Sequence, residues 1–354
     1  MSGQLVSDSV MRPRPSRPLA LPRAVDLRRV NWRDAIWVFG FHVLALLALL
    51  PWFFSWTAVI VCLVSIVVFG QLGIAIGYHR LLAHRGFRCV KWLEHLFVIL
   101  GVCCLQDSPA RWVAVHRRHH QHSDTQPDPH SPLVAFLWAH MGWVLVENGE
   151  LKRPEIYQRY AKDILRDRFY FWIECKSGQI KIILGSWLAF FLAGFLPQLL
   201  IGGTFVEAVQ FGGSLFVWGV LVRTVAVWHQ TWAVNSVTHL WGYRNFATDD
   251  DSRNNIWVAI FSHGEGWHNN HHANPQSVNH GHRWWEVDVT YQVVLLLSKL
   301  GLARDLVVPN PPAAQAHADA TLGNETGSQG APSRAIAQGR RQSWPVRLWR
   351  RWNS

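Results

Sequence analysis

Four short elements carry the chemistry this sequence can do. Nineteen histidines are present, and seventeen lie between His79 and His282. They gather as His79-Arg80-Leu81-Leu82-Ala83-His84, His116-Arg117-Arg118-His119-His120 and His268-Asn269-Asn270-His271-His272, with a fourth element, Asn235-Ser236-Val237-Thr238-His239. Side chains at i, i+3 and i+4 share one face of a helix, so each H-x-x-H-H run can aim three imidazoles at one point. Asn235 and His239 stand one turn apart. His79 and His84 are five apart and are expected to reach a shared site from a frayed helix end. Nine aligned imidazoles exceed the roughly three or four protein ligands of one zinc and suit two metals with four or five nitrogens each. Imidazole accepts Zn, Cu, Fe or Ni, so the ligand type leaves the metal open. The other eight histidines of this region (His95, His122, His130, His140, His229, His263, His280 and His282) read as supporting donors, headgroup contacts or ordinary polar residues. A metal-bound imidazole donates its other N–H to an acceptor, for which Asp107, Asp124, Asp128 and Glu265 are candidates.

These clusters flank apolar runs. Hydrophobic residues make up 49% of the 354 and charged residues 16%, which excludes a disordered chain. Five cysteines without a C-x-x-C spacing exclude a disulfide scaffold. Segments near residues 35–54, 57–76, 180–201 and 206–227 each approach the ~20 residues a spanning helix needs. Arg223, inside the fourth, is costly in lipid unless it faces the bundle interior or snorkels. Residues 92–106 and 287–302 are too short to span and read as interfacial or re-entrant helices. A soluble helical bundle is disfavoured, since soluble helices are rarely apolar all round. Of the net charge of +11, residues 1–34 contribute +4 and residues 333–354 contribute +6. Charge that flanks an apolar middle points to the cytoplasmic ends of a membrane protein rather than to a nucleic-acid-binding face. No signal peptide is visible. The expected organisation is a basic N-terminal tail over 1–34, a membrane domain over 35–307 and a disordered, Arg-rich tail over 308–354. That tail interleaves Trp344, Trp349 and Trp352 and is suited to anionic headgroups. Four spans return both tails, and with them every histidine cluster, to the cytoplasmic side.

The stretches HRLLAH at 79–84, HRRHH at 116–120, EGWHNNHH at 265–272, NSVTH at 235–239 and DPH at 128–130 resemble the integral-membrane fatty acyl desaturases of the stearoyl-CoA and bacterial or cyanobacterial Δ9 acyl-lipid type. The likeness covers roughly residues 35–305. It implies an all-α membrane protein in which four transmembrane helices carry a cytosolic helical cap. It implies two iron ions held by His79, His84, His116, His119, His120, His239, His268, His271 and His272, with Asn235 contacting one through water. Gln106, Trp112 and Thr231 fall at positions that bend the acyl tunnel. The reaction implied is dioxygen-dependent insertion of a cis double bond, at Δ9, into a saturated acyl chain, with no catalytic residue beyond the ligands. Arg117 and Arg118 are candidates to hold an anionic headgroup. Val115 replaces the acid found before the second cluster in animal acyl-CoA enzymes, and HNNHH replaces HNYHH. These departures leave the carrier open between CoA and a glycerolipid, with acyl carrier protein less favoured. No fused cytochrome b5 domain is visible, so a separate ferredoxin or cytochrome b5 type donor is implied, at a bacterial inner membrane. A related membrane hydroxylase is the alternative. A non-catalytic metal binder or transporter fits less well, because transporters place polar ligands at mid-membrane and these clusters follow the spans.

Overall fold

The computed structural model describes residues 18–175 and 177–308. The Arg-rich C-terminal tail expected beyond 308 and residues 1–17 lie outside the described residues. Among the described residues, four helices are long and apolar enough to cross a membrane: span 1, Trp32–Leu49; span 2, Trp56–Ala83; span 3, Gly178–Leu200; and span 4, Phe205–His239. Span 3 buries only 6% of its apolar window against protein, so hydrocarbon is the solvent its surface fits. Spans 2 and 4 run past the expected limits of 76 and 227. Nearly every residue from Gly73 to Ala83 is buried, so this extension lies under protein instead of facing lipid.

Local signals set the hairpins. Pro51 and the Ser55 N-cap, whose hydroxyl accepts from Ala58 N–H at 3.1 Å, turn the chain between spans 1 and 2. A capping box of Thr204 and Glu207 starts span 4. The first turn docks on span 4: Ser214 and Trp218 donate to the Phe53 carbonyl at 2.7 and 2.9 Å, and Gln210 donates to the Trp52 carbonyl. His79 and His239 lie at the opposite ends of spans 2 and 4 from these turns. Arg223 does face inward. It donates to the Gly219 and Cys103 carbonyls and lies 4.2 Å from the Phe69 ring centroid.

Among the described residues, the cap is helices and loops with two short antiparallel ribbons. Strand β1 (Val25–Val30) pairs with β3 (Val146–Asn148), and β2 (Arg88–Cys89) pairs with β4 (Ala303–Arg304). The segment read as a tail over 1–34 thus joins the fold from β1 onward, and span 1 begins at Trp32. The two short apolar stretches form helices Lys91–Val102 and Val289–Lys299. Helix Lys91–Val102 lies against span 2 through small residues: a Cβ on Gly73 would stand 2.5 Å from the Gly101 nitrogen, and one on Gly101 would stand 2.5 Å from the Tyr78 ring. Gly73→Leu should force these helices apart at a cost of about 1–3 kcal/mol. A lowered thermal midpoint in detergent is expected, while Gly185→Leu, with nothing within 4 Å of its added Cβ, should melt as the unaltered chain does.

Candidate metal centre

The nine histidines converge as two adjoining sets. His79, His84, His116, His120 and His271 offer nitrogens all within 4.8 Å of one another, and His119, His239, His268 and His272 do the same. Neither H-x-x-H-H run aims at one point, as its spacing had suggested; each straddles both sets. Adjacent residues diverge by about 100° around a helix axis. Within helix Pro109–His122, the i, i+4 pair His116 and His120 therefore turns to the five-histidine set and His119 to the other. Helix His268–Ala273 does the reverse, giving His268 and His272 to the four-histidine set and His271 to the five.

His79 and His84 meet for a different reason. Residues Ile66–Ala83 are wound with the wide π turn, and the His84 N–H donates to the His79 carbonyl five residues back at 3.0 Å. A spacing of five is then about one turn, which sets the two rings edge to face with centroids 4.7 Å apart. Such turns concentrate at functional sites. At the far end of span 4 a tight 3-10 turn, Val237–His239, delivers His239.

Outer ring nitrogens are held by buried carboxylates. His79 Nδ1 lies 2.5 Å from Glu265, His119 Nδ1 3.0 Å from Asp128, His239 Nδ1 2.7 Å from Asp124 and His272 Nδ1 2.6 Å from Asp250. Three of the four expected acceptors serve; Asp107 does not, being paired with Arg111 and Arg33. Asp250 was not anticipated, because it sits in an acidic run, Asp249-Asp250-Asp251, of the kind usually solvated. Burial works against ionising these acids. Even so, His272 holds Asp250, His239 holds Asp124, His119 holds Asp128, and Arg80 with His79 holds Glu265, each below the ordinary carboxylate range. Burial, and then the neighbouring imidazoles, push His84, His116, His120, His268 and His271 well below the usual histidine range, so they stand as neutral ligands.

This donor set fits a cation in each group. A carboxylate on Nδ1 holds the N–H there in His79, His119, His239 and His272 and turns their Nε2 inward as a donor. Nε2 atoms approach one another within the sets: His84 and His116 at 2.7 Å, His271 and His120 at 2.9 Å, His239 and His268 at 3.0 Å, His79 and His271 at 3.1 Å. Among the described residues the buried Nε2 of His272 has no protein partner. Nitrogen donors gathered this closely are the set a cation in each group would take.

The remaining expected site residues divide. Gln106, Trp112 and Thr231 form one hydrogen-bonded chain, Trp112 Nε1 donating to Gln106 Oε1 at 3.4 Å and Gln106 Nε2 to Thr231 Oγ1 at 2.9 Å. Trp112 stacks on His116 with centroids 4.9 Å apart, so this chain borders the five-histidine set. Asn235 is half-buried one turn before His239. Arg117 and Arg118 do not fit the headgroup role. Arg117 commits its guanidinium to Asp163 and to the carbonyls of Leu82, Ala83 and Tyr160, and buried Arg118 pairs with Glu150, so neither is free to meet a ligand. His280, not singled out as a site residue, packs 4.5 Å from the His271 ring and accepts from Arg80.

Comparison with known proteins agrees with this geometry. Residues 54–295 match the family described as fatty acid desaturase. The chain is 41% identical over 298 residues to a sn-2 palmitoyl-lipid 9-desaturase of Nostoc sp. (strain 36), covering 84% of this chain and 96% of that protein. It is 42% identical over 278 residues to a sn-1 stearoyl-lipid 9-desaturase of Synechocystis sp. (strain ATCC 27184 / PCC 6803 / Kazusa), covering 78% of this chain and 80% of that one. An acyl-CoA C20 Delta5-desaturase of Anemone leveillei is 37% identical over 287 residues, covering 80% and 85%. Replacing Asp250 by Asn should weaken metal binding at the four-histidine set about 10–100-fold, as loss of a ligand's buttress does. In a metal titration of chelator-stripped protein, this variant should lose one of two tight equivalents, and Asp107→Asn should keep both.

Proposed function

Because the chain belongs to the fatty acid desaturase family, we propose that it introduces a cis double bond at Δ9 of a saturated acyl chain esterified to a glycerolipid, with two irons as its metals. The observation that carries this reading is the sorting of nine imidazoles into sets of five and four beside the Trp112–Gln106–Thr231 chain. An unactivated methylene has no acidic proton, so acid–base catalysis cannot open it; a reduced iron pair with dioxygen supplies the oxidising power. His79, His84, His116, His120 and His271 would hold one iron, and His119, His239, His268 and His272 the other, with Asn235 reaching the site through water.

Positioning falls to the protein. The bridge from Trp112 through Gln106 to Thr231 links helix Pro109–His122 to span 4, and an acyl chain passing it must bend. Packing of Trp112 on His116 keeps that bend at a fixed distance from the ligands. A glycerolipid carrier is favoured over CoA by the 9-desaturase relatives that act on lipids, and by Arg117 and Arg118, whose charges are neutralised internally and are not offered to a polyphosphate. Electrons would come from a separate ferredoxin or cytochrome b5 type protein. The basic N-terminal flank favours a cytoplasmic active site at a bacterial inner membrane.

In a host that requires unsaturated fatty acids, the unaltered chain should restore growth and yield Δ9 monoenes two hydrogens lighter than their precursors; a product one oxygen heavier would mark a hydroxylase instead. His120→Ala should abolish the product, and growth restored by that variant would defeat the ligand assignment. Gln106→Leu should retain iron but scatter the double bond to neighbouring positions, read by mass spectrometry of derivatised fatty acids. Labelled palmitoyl-CoA and labelled glycerolipid, offered separately to membranes, should be desaturated only in the second case.

A further inference from the structure

A second histidine array lies outside the metal centre, and neither the ligand set nor the tunnel uses it. His42 of span 1, His229 of span 4 and His140 of the turn Trp138–Gly142 form a line. His42 Nδ1 meets the Val38 carbonyl at 2.7 Å, and His42 Nε2 meets His229 Nε2 at 3.1 Å. His229 Nδ1 meets His140 Nε2 at 3.0 Å, and His140 Nδ1 meets Ser236 Oγ at 2.9 Å. His229 uses one nitrogen toward each neighbour, so the three rings run in series and do not converge on a metal.

The hydrogens in this line can be counted. It has four contacts, each needing one hydrogen. Ser236 directs its hydroxyl hydrogen to the Trp232 carbonyl at 2.7 Å. Three neutral imidazoles bring one N–H each. A neutral array therefore leaves one contact with two lone pairs face to face, at whichever link the tautomers place it. One added proton closes all four contacts, and exchanging tautomers moves the defect along the line.

Surroundings and position favour transfer over storage. Trp228, Trp232 and Phe136 pack around the rings, and none of the three imidazoles pairs with a carboxylate among the described residues. The titratable groups facing each ring are the other two rings. Burial places His140 below the ordinary histidine range, so the extra proton is loosely held. All three rings are half-buried rather than sealed, which lets them be recharged. The line ends on Ser236, fully buried, between Asn235 and His239; the 3-10 turn that follows brings residues i and i+3 onto one face.

We propose that His42, His229 and His140 are a proton relay that ends on Ser236: as its oxygen takes the hydrogen of His140 Nδ1, its own hydrogen leaves the Trp232 carbonyl for the oxygen being reduced to water at the metal centre. The proposal rests on the desaturase reading, whose balance is R–CH2–CH2–R′ + O2 + 2e− + 2H+ → R–CH=CH–R′ + 2H2O. Dioxygen takes four electrons, two from the acyl chain and two from an external one-electron carrier, and two protons must enter a buried chamber each turn. The nine imidazoles of the two sets cannot bring them once their nitrogens are committed to metal.

His229→Gln keeps hydrogen-bonding groups but an amide does not pass a proton. In the iron-loaded full chain in detergent, this variant should bind iron as before and keep its KM. Its kcat should fall roughly 10–100-fold with a larger solvent deuterium isotope effect, and added imidazole should restore part of the loss. Independently of turnover, 15N spectra of histidine-labelled full chain should show one proton shared among imidazoles that His229→Gln removes. An unchanged isotope effect, a loss of iron that tracks the loss of activity, or the absence of the shared proton in the unaltered chain would each overturn the relay. A chain that shows the shared proton but forms no alkene overturns the desaturase reading and leaves the proton count standing.

Discussion

Nine imidazoles gathered deep in the protein, with Nε2 atoms approaching one another to 2.7–3.1 Å, are the constraint on which the cap is built. Carboxylates on the Nδ1 of His79, His119, His239 and His272 orient four of these rings. Each buried carboxylate then needs support of its own. Asp128 accepts the backbone N–H groups of Asp124 and His130. Asp124 accepts from Ser131 and from the Asp251 N–H. Asp250 accepts from Thr248 and Ser252, and Glu265 from Arg80. Arg80 in turn binds Asp288, which caps helix Val289–Lys299. The ligand geometry thus propagates outward, and loops without regular structure of their own are ordered by serving it.

The helix that carries three ligands shows how far this goes. His268–Ala273 has six residues, too few to stand as a helix alone. Its two asparagines hold it. Asn269 accepts the backbone N–H groups of Asn245 and Phe246. Asn270 donates to the His280 carbonyl and to Glu286 and accepts from Asn245 and Asn254. Tyr243 completes the cluster on Glu286. Asn270 stands where tyrosine occurs in the pattern this run resembles, and here its amide is a structural tie within the cap and not a ligand.

The spans, the clusters and the gathering of nine imidazoles were legible in the sequence, because apolar length and histidine spacing are local quantities. The partition was not. It depends on the angular offset of His119 from His116 and His120, and on which helix faces which, and both are settled by packing. The sequence leads one to expect His79 and His84 to meet from a frayed helix end, because the π winding of span 2 that joins them has no signature in residue type. Arg117 and Arg118 read as free cations beside a cluster; their partners, Asp163 and Glu150, lie dozens of residues away in sequence. Asp250 was hidden by Asp249 and Asp251, since one buried acid in a run of three cannot be told from its neighbours until His272 is placed beside it. Gln106, Trp112 and Thr231 were singled out only by resemblance, and their contact joins residues more than a hundred positions apart.

A bilayer needs only roughly 20 residues per helix, yet spans 2 and 4 run to 28 and 35. The excess lies at one end of each, and it is there that His79 and His239 sit. Extending two spans into the cap makes the membrane frame and the ligand frame one rigid body. A reaction at an unactivated carbon gives this a purpose, because the oxidant must meet one carbon pair of a chain that is otherwise uniform. A ligand helix hinged to the spans by a loop would let the acyl chain and the metals shift relative to each other. Here Thr231 and His239 belong to one continuous helix, and Trp112 and His116 to another, one turn apart. The groups proposed to bend the substrate and the groups proposed to hold the metals therefore share backbone, and on that reading helix geometry fixes the position of the double bond.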